Sequence, residues 1–541
     1  MPKEVKDTIF LVANGNLKHV TNRNGWNAQK DMEEKLAKVF NSEGIDVVRA
    51  HAFSEELGHG FIWNQRMGID VMNSLDSDSP VVVAVGIWQF SQNILSGLRT
   101  HKGPILTVGN WSGKFPGLVG LLNLNASLVK AKIPFSTIWS ETFSDDFFVS
   151  GVKEWIRDGK IEHRITYPLH IDDCVVPPDL AEQGKLLGKI LLRQKPIIGV
   201  FDEGCMGMYN AIIDDEYLNA VGIYKERLSQ SSLLAEMKTV EDHEAQKVKS
   251  WLVSRGMKFD VGDDEATSLT ERQIIEQLKM YIAAMRIADY FGCESIGIQY
   301  SSGLKDMAPA SDLAEGLLNN PDRPPVESKD GERFLYHGRA LPHFNEADEG
   351  AAIDMIVNSR VWRKLGLDES TTLHDVRWGE RLRKDGFDDF VWLFMISGAI
   401  PASHLEKGYA EAVCLRQPPT SFMLGGGTIT GVSKPGEFVW SRVYLKDGRL
   451  GVDIGRGTAL RLPPEEIDRR WKETTPQWPM MNAVLHGVSR DQFMARHLSN
   501  HIIVTYAPTA ELADTALIIK ASMMREMGLD VYICGIDRLR R

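Results

Sequence analysis

The stretch IFLVA, residues 9–13, is the first of several short apolar runs, which recur as VVVAV at 81–85, ILTV at 105–108 and FSTIW at 135–139. A further short run lies at 46–49, and segments typical of amphipathic helices lie between the runs, at 28–41, 58–74 and 118–131. Strand-like runs that alternate with helices indicate a parallel sheet covered by helices. The sequence therefore predicts an α/β N-terminal unit over residues 1–172.

A second α/β unit is expected from 173 to 350. Adjacent prolines at 177–178 are typical of a boundary because they resist helix formation. The run PIIGVF at 196–201 predicts a strand, long helical stretches follow near 224–256 and 268–292, and SIGIQY at 295–300 predicts another strand. The order strand, helix, strand again favours a layered α/β domain.

The pattern changes after residue 350. Strand-like runs follow a short helix at 351–358 and lie near 371–377, 391–396, 410–415, 420–424, 438–444, 450–454 and 459–462. The segments KDGR at 446–449 and IGRG at 454–457 are typical of hairpin turns. A helix around residue 501, a strand at 502–506, a helix at 510–527 and a strand at 530–534 close the chain. We expect a mainly antiparallel, barrel-like β domain with helices over 351–541.

Composition excludes several classes of function. The chain has 541 residues, 43% of them hydrophobic and 25% charged, and no apolar run reaches the roughly 18 residues that a membrane helix needs. A net charge of −11 disfavours nucleic acid as a partner. The five scattered cysteines indicate buried thiols in a reducing compartment. We therefore expect a cytoplasmic protein of several domains, with no membrane and no nucleic-acid partner.

The stretch LPHFNEADEG, residues 341–350, carries three carboxylates and one histidine and is a candidate floor of a metal site. Partners for it occur downstream, at His374 and Asp375 and at His497 and His501. The histidines His497 and His501 are four apart, a spacing that could ligate one metal from a helix. The alternative is a solvated loop, since acids are favoured in the first turn of the helix that follows.

Eight short segments together resemble the L-fucose isomerase family and, more distantly, the L-arabinose isomerases. They occur in the family's order: FDEGCMG (201–207), GIQ (297–299), NEAD (345–348), HDVR (374–377), ISG (396–398), GGG (425–427), WP (478–479) and SNH (499–501). The N-terminal third resembles the family mainly in its α/β rhythm and in Trp88.

The resemblance implies a divalent metal, usually Mn²⁺, held by Glu346, Asp375 and His501. Two carboxylates and one imidazole suit a borderline-hard ion that binds sugar oxygens and exchanges them. It also implies that Glu346 and Asp375 carry the proton. The resemblance further implies contacts with the sugar from a set of polar and aromatic residues: Trp88, Gln299, Ser397, Trp478 and Asn500. We expect His497 either to contact the sugar or to support a metal ligand from behind. Two positions depart from the family pattern. The family carries an aromatic residue near the place of His497, and a sugar-stacking tyrosine is expected where this chain has Thr428.

The function expected from this resemblance is a metal-dependent ketol isomerase that interconverts a small unphosphorylated aldose, such as L-fucose or D-arabinose, with its ketose through an enediol. The alternative is a sugar-binding or regulatory homologue without activity. A dehydrogenase is disfavoured because no G-x-G-x-x-G fingerprint follows a strand. The family's arrangement implies a homo-oligomer, a hexamer or trimer, in which the N-terminal domain carrying Trp88 and Trp111 covers a neighbour's site.

Overall fold

The computed structural model describes residues 7–384, 386–419, 421–536 and 539–540. The first sheet is parallel throughout, in the order β2-β1-β3-β4-β5. Its strands are β1 Thr8–Val12, β2 Asp46–Arg49, β3 Val81–Val85, β4 Ile105–Asn110 and β5 Ser136–Ser140. The helices of this part are α1 His19–Ser42, α2 Gln65–Asn73, α3 Gln92–Leu98, α4 Gly117–Lys130 and α5 Asp146–Asp158. All five residues of β3 are buried because helices cover the sheet on both sides.

The second part of the chain contains a three-stranded parallel sheet in the order β10-β7-β8. Its strands and those around it are β6 Pro168–His170, β7 Ile197–Phe201, β8 Tyr224–Leu228, β9 Lys258–Phe259 and β10 Cys293–Ile298. The helices are α6 Pro178–Gln194, α7 Asp215–Ala220, α8 Gln230–Met237, α9 Asp242–Ser254, α10 Glu271–Tyr290 and α11 Asp312–Leu318.

The prediction of a long helical stretch near 224–256 is wrong. Its first residues form β8, which pairs with β7, and the remainder is two helices. Ser229 caps α8, with its side chain accepting from the Ser231 N–H, and Glu241 begins α9 with a capping box. Two N-terminal caps in succession divide the segment because each satisfies the free N–H groups of a new helix.

The C-terminal part is β-rich. Its strands are β11 Thr372–Lys384, β12 Phe387–Met395, β13 Val413–Arg416, β14 Gly427–Thr430, β15 Gly436–Lys446, β16 Arg449–Ala459, β17 Met480–Leu485, β18 His501–Ala507 and β19 Asp530–Cys534. Its helices are α12 Glu349–Lys364, α13 Pro464–Lys472, α14 Arg490–Arg496 and α15 Ala510–Glu526. The main sheet is mixed, in the order β15-β18-β11-β12-β17-β16-β19-β6, and β15 also pairs with β16. An α/β chain with parallel sheets and a β-rich C-terminal part is therefore confirmed.

Two expectations for this part need correction. No strand is found at 421–424, which turn before β14, and residue 420 lies outside the described residues. The segment 454–457 is not a turn but lies inside β16, paired with β15. A Cβ atom on Gly455 would lie 2.5 Å from the Trp440 ring, so this glycine allows the ring to cross the strand closely. The other hairpin is confirmed, with Asp447 at φ 51° and Gly448 at φ 77°.

The N-terminal part packs directly against the rest of the chain. Trp111 donates its indole N–H to the Gly379 carbonyl at 2.9 Å, and Arg377 donates to the Gly113 carbonyl at 3.1 Å. Ser91 donates to the Gly207 carbonyl of the second part at 2.7 Å. Residues of all three parts line a common cavity. Among the described helices, none is long and apolar enough to cross a membrane.

Candidate functional site

A cavity of about 310 Å³ lies where the three parts meet. Its walls include the residues that follow β3 and β10, namely Trp88 and Gln299, and residues of the C-terminal part. The carboxyl ends of parallel strands are the usual position of ligand sites in α/β sheets. Glu346 and Asp375, two of the three expected metal ligands, line the same cavity.

Strand pairing brings Asp375 and His501 together. The two residues are directly opposite each other in the antiparallel pair β11–β18. The His501 Nε2 atom lies 3.6 Å from the Asp375 Oδ1 atom. Asn500 holds the same oxygen, donating from Nδ2 at 3.1 Å. The register of two strands that are distant in sequence therefore builds this half of the site.

Glu346 completes the cluster from a strained turn. It lies in a short 3-10 turn, Asn345–Ala347, with φ 59° and ψ 18°, and Ala347 is also left-handed at φ 56°. Non-glycine residues avoid this region, and strain of this kind is concentrated at functional sites. The turn aims the carboxylate at His501, with Glu346 Oε2 lying 3.5 Å from His501 Nε2.

A buried ion pair behind His501 fixes its ring. The Asp348 carboxylate accepts from His501 Nδ1 at 2.7 Å and from both terminal nitrogens of Arg442, at 2.5 and 3.0 Å. Asp348 also caps α12 by accepting from the Ala351 N–H. Burial raises the pKa of Asp348, but Arg442 and His501 outweigh burial and hold it well below the usual range. Asp348 therefore stays ionised and holds a proton on His501 Nδ1, which leaves Nε2 facing the two carboxylates.

The donor types, two carboxylates and one imidazole, suit a divalent transition metal. His501 Nε2 is buried and has no hydrogen-bond partner among the described residues. Two donors that share one such ion at roughly 2.1 Å lie about 3.0 to 3.4 Å apart. The Nε2 distances of 3.5 and 3.6 Å to the two carboxylates are slightly longer. In the part of the chain that the structure describes, no group of three or more His, Cys, Asp or Glu side chains is close enough together to hold a metal ion as it stands.

Burial and mutual charge perturb these groups. Burial raises the pKa of Asp375 to about 6, with His501 lowering it and Glu346 raising it further. For His501, burial lowers the pKa, but the hydrogen bond to Asp348 and the nearby Glu346 carboxylate prevail and raise it to about 9. Perturbed pKa values in a cavity are typical of functional sites.

Four of the expected sugar contacts line the cavity: Trp88, Gln299, Ser397 and Trp478. The Trp88 indole N–H is buried and has no partner among the described residues. Trp478 donates its indole N–H to Gln417 Oε1 at 2.8 Å, and Gln299 accepts from the Ser302 N–H at 2.9 Å. Trp88 lines the cavity of its own chain. Trp111 does not line the cavity.

Asn500 and His497 are not among the residues that line the cavity. Asn500 is buried behind Asp375. His497 stacks on Phe493 at 4.4 Å, and its Nε2 atom lies 2.8 Å from the His501 carbonyl oxygen. Because α14 ends at Arg496 and His501 begins β18, His497 and His501 do not share a helix. His497 supports the backbone of His501.

His374, a candidate in the sequence, is also outside the site. It is fully buried next to Phe394, with both ring nitrogens unpartnered among the described residues. Adjacent residues of a strand point to opposite faces, so His374 points away from the cavity that Asp375 faces.

Sequence reasoning missed several residues of the site. Asp348 and Arg442 orient His501, Arg377 lines the cavity, and Asp312 and Glu315 add two buried carboxyl groups to its wall. Asp348 stands within the NEAD segment, which was a usable signal. Asp312 and Glu315 lie on α11, a two-turn helix too short to show a clear apolar period.

Comparisons with known proteins add no assignment. A scan against protein-family models finds no match to this chain, and a search of curated proteins finds none either.

Proposed function

We propose that this chain is a metal-dependent aldose–ketose isomerase that acts on a small unphosphorylated aldose such as L-fucose or D-arabinose. The observation that carries the proposal is the convergence of Glu346, Asp375 and His501 at one end of a cavity. Its volume of about 310 Å³ is near the lower limit for small-molecule sites, which suits a monosaccharide.

Isomerisation moves a proton between two adjacent carbons and shifts a second proton between their oxygens. Glu346, Asp375 and His501 would hold a divalent cation such as Mn²⁺, which as a Lewis acid would stabilise the negative charge that develops on the sugar oxygens. The carboxylates of Glu346 and Asp375 would take up and return the carbon-bound proton. With a pKa of about 6, Asp375 is ionised at neutral pH and able to accept a proton.

The other residues of the cavity orient the sugar and exclude water. Trp88 offers a rigid apolar face and an unpartnered N–H, a combination that suits the C–H face and one oxygen of a sugar. The Asp348–Arg442 pair keeps His501 from rotating. Asn500 holds Asp375 at one oxygen, which leaves the other free for a proton.

We also propose a closed barrel, a homo-oligomer and a cytoplasmic location for this chain. The strands β15, β18, β11, β12, β17 and β16 would close into a barrel, which the additional β15–β16 pairing supports. A homo-oligomer is proposed from the family resemblance, and sedimentation at assay concentrations tests it. A cytoplasmic location also stays a prediction.

The decisive experiment is a screen of pentoses, hexoses and 6-deoxyhexoses for ketose formation with added Mn²⁺. Glu346→Gln is the matched control, because it is nearly isosteric and removes only charge and basicity. We expect ketose from at least one aldose with the wild type and none with Glu346→Gln. Sugar binding without turnover would favour the inactive homologue, and the absence of both would overturn the proposal.

A further inference from the structure

Two buried acids project from α11 into the cavity wall. Asp312 and Glu315 are three residues apart and therefore share a face of the helix, and each is only 3% exposed. Neither pairs with a lysine or arginine among the described residues. The side chain of Glu315 accepts a hydrogen bond from Asn345 Nδ2 and lies 3.6 Å from His343 Nδ1. Burial lowers the pKa of His343 to about 3, so that ring is neutral.

Asp312 is the less satisfied of the two. Its Oδ2 atom is buried and has no hydrogen-bond partner among the described residues. The residue lines the cavity together with Glu346 and Asp375. Burial raises the pKa of Asp312 to about 7, while hydrogen bonds of its side chain with Ser397 and Gln417 lower it. These bonds leave the Oδ2 atom as the open acceptor. Gln417 also accepts from Trp478, so Asp312 belongs to the wall that holds Trp478 and Ser397.

A buried carboxyl oxygen without a partner is costly, and a ligand that supplies a donor recovers the loss. A sugar hydroxyl is such a donor. A phosphate or carboxylate at this place would be repelled by the acids around it. An apolar substituent would leave Oδ2 unpaired, and sites built to bind a hydroxyl reject analogues that lack it.

We propose that Asp312 determines substrate specificity in this cavity, with its Oδ2 accepting a hydrogen bond from one hydroxyl group of an uncharged polyhydroxylated substrate. The proposal rests on the proposed isomerase function and adds to it the requirement for a free hydroxyl at one position. Asp312 is not a ligand of the proposed metal, so its role is separable from that of Glu346, Asp375 and His501.

The test compares L-fucose and D-arabinose with their single-deoxy analogues, using the wild type and Asp312→Ala. For one analogue, the wild type should lose about 10- to 100-fold in kcat/KM relative to the parent sugar, the range for a hydrogen bond to a charged group. Asp312→Ala should convert that analogue and the parent sugar at similar kcat/KM, while still discriminating at the other positions. Unchanged discrimination at every position would overturn the proposal.

Two further variants separate this effect from a loss of structure. Asp312→Asn keeps the shape and a neutral acceptor, so its discrimination should be intermediate between those of the wild type and Asp312→Ala. Asp306→Asn removes the same charge from a side chain that is 64% exposed and should behave as the wild type. Thermal unfolding followed by circular dichroism shows whether each variant is folded, and Asp312→Asn decides the matter if Asp312→Ala is not.

Binding measurements distinguish a failure of this proposal from a failure of the proposed isomerase function. If the wild type converts no aldose, calorimetric titration with L-fucitol and D-arabinitol in the presence of Mn²⁺ provides a readout without turnover. We expect Asp312→Ala to weaken alditol binding about 10- to 100-fold. Equal binding by the wild type and Asp312→Ala, or no binding of either alditol, would overturn the role of Asp312.

Discussion

Replacing Asp348 by asparagine tests whether one buried carboxylate supports both the fold and the candidate metal site. Its side chain is completely buried and accepts hydrogen bonds from Arg442, His501 and the Ala351 N–H. The Arg442 guanidinium is only 1% exposed, so water cannot replace the lost charge. Asparagine matches the shape of aspartate but supplies one acceptor oxygen and no charge.

Two magnitudes follow from this geometry. Breaking a buried ion pair by removing one partner costs about 3–5 kcal/mol because the other charge stays buried. Residues that orient a ligating histidine typically change metal affinity about 10- to 100-fold. Asp348→Asn should therefore lower the free energy of unfolding by about 3–5 kcal/mol and weaken Mn²⁺ binding by one to two orders of magnitude.

The assay combines urea unfolding of the metal-free protein with calorimetric titration of Mn²⁺. Glu346→Gln is the matched control, since its side chain is 20% exposed and no ion pair links it to Arg442. We expect that variant to change the free energy of unfolding by less than about 1 kcal/mol. It should nevertheless lose most of its Mn²⁺ affinity, because a proposed ligand is gone.

Wild-type stability in Asp348→Asn would show that the Asp348–Arg442 pair does not stabilise the folded chain. Wild-type Mn²⁺ affinity together with lowered stability would show that the orientation of His501 does not depend on Asp348. Either result would refute the corresponding half of the reasoning. Normal affinity in Glu346→Gln would refute the proposed ligand set.

Three further predictions concern pH, metal and substrate. The pKa of about 7 for Asp312 lies above its ordinary value of 3.8, so the folded chain holds an extra proton between these values and loses stability as pH rises through them. The difference in the free energy of unfolding between Asp312→Asn and the wild type should therefore shift by about 2–3 kcal/mol in favour of the variant when the pH is raised from 5 to 8. Urea unfolding at both pH values measures it, and the same difference at pH 5 and pH 8 would contradict this. Chelation should abolish turnover, and Mn²⁺ should restore it better than Ca²⁺. The reason is that an imidazole donor favours a transition metal, whereas Ca²⁺ prefers more oxygen ligands. Full turnover in excess chelator would contradict this. Trp88→Ala should raise KM without weakening Mn²⁺ binding, since it removes a wall and no ligand, and parallel losses of both would refute its assignment.

Local patterns in the sequence predicted much of the fold. Apolar runs such as 81–85 and 105–108 became buried parallel strands, because each is long enough for a strand and covered on both faces. The turn at Asp447 and Gly448 was predictable because a type I′ hairpin needs two residues with positive φ. The caps at Ser229 and Glu241 were readable signals that would have divided one expected helix into two.

The sequence by itself determined the α/β class, the β-rich C-terminal part and the ligand chemistry available at Glu346, Asp375 and His501. Only the tertiary structure decided that His501 is opposite Asp375, that Arg442 and Asp348 hold its ring, and that Asp312 lines the same cavity. It also decided that Gly455 accommodates Trp440 inside a strand instead of forming a turn. The physical reason is that strand register and side-chain packing depend on residues distant in the chain, whereas periodicity, caps and turns depend on neighbouring residues.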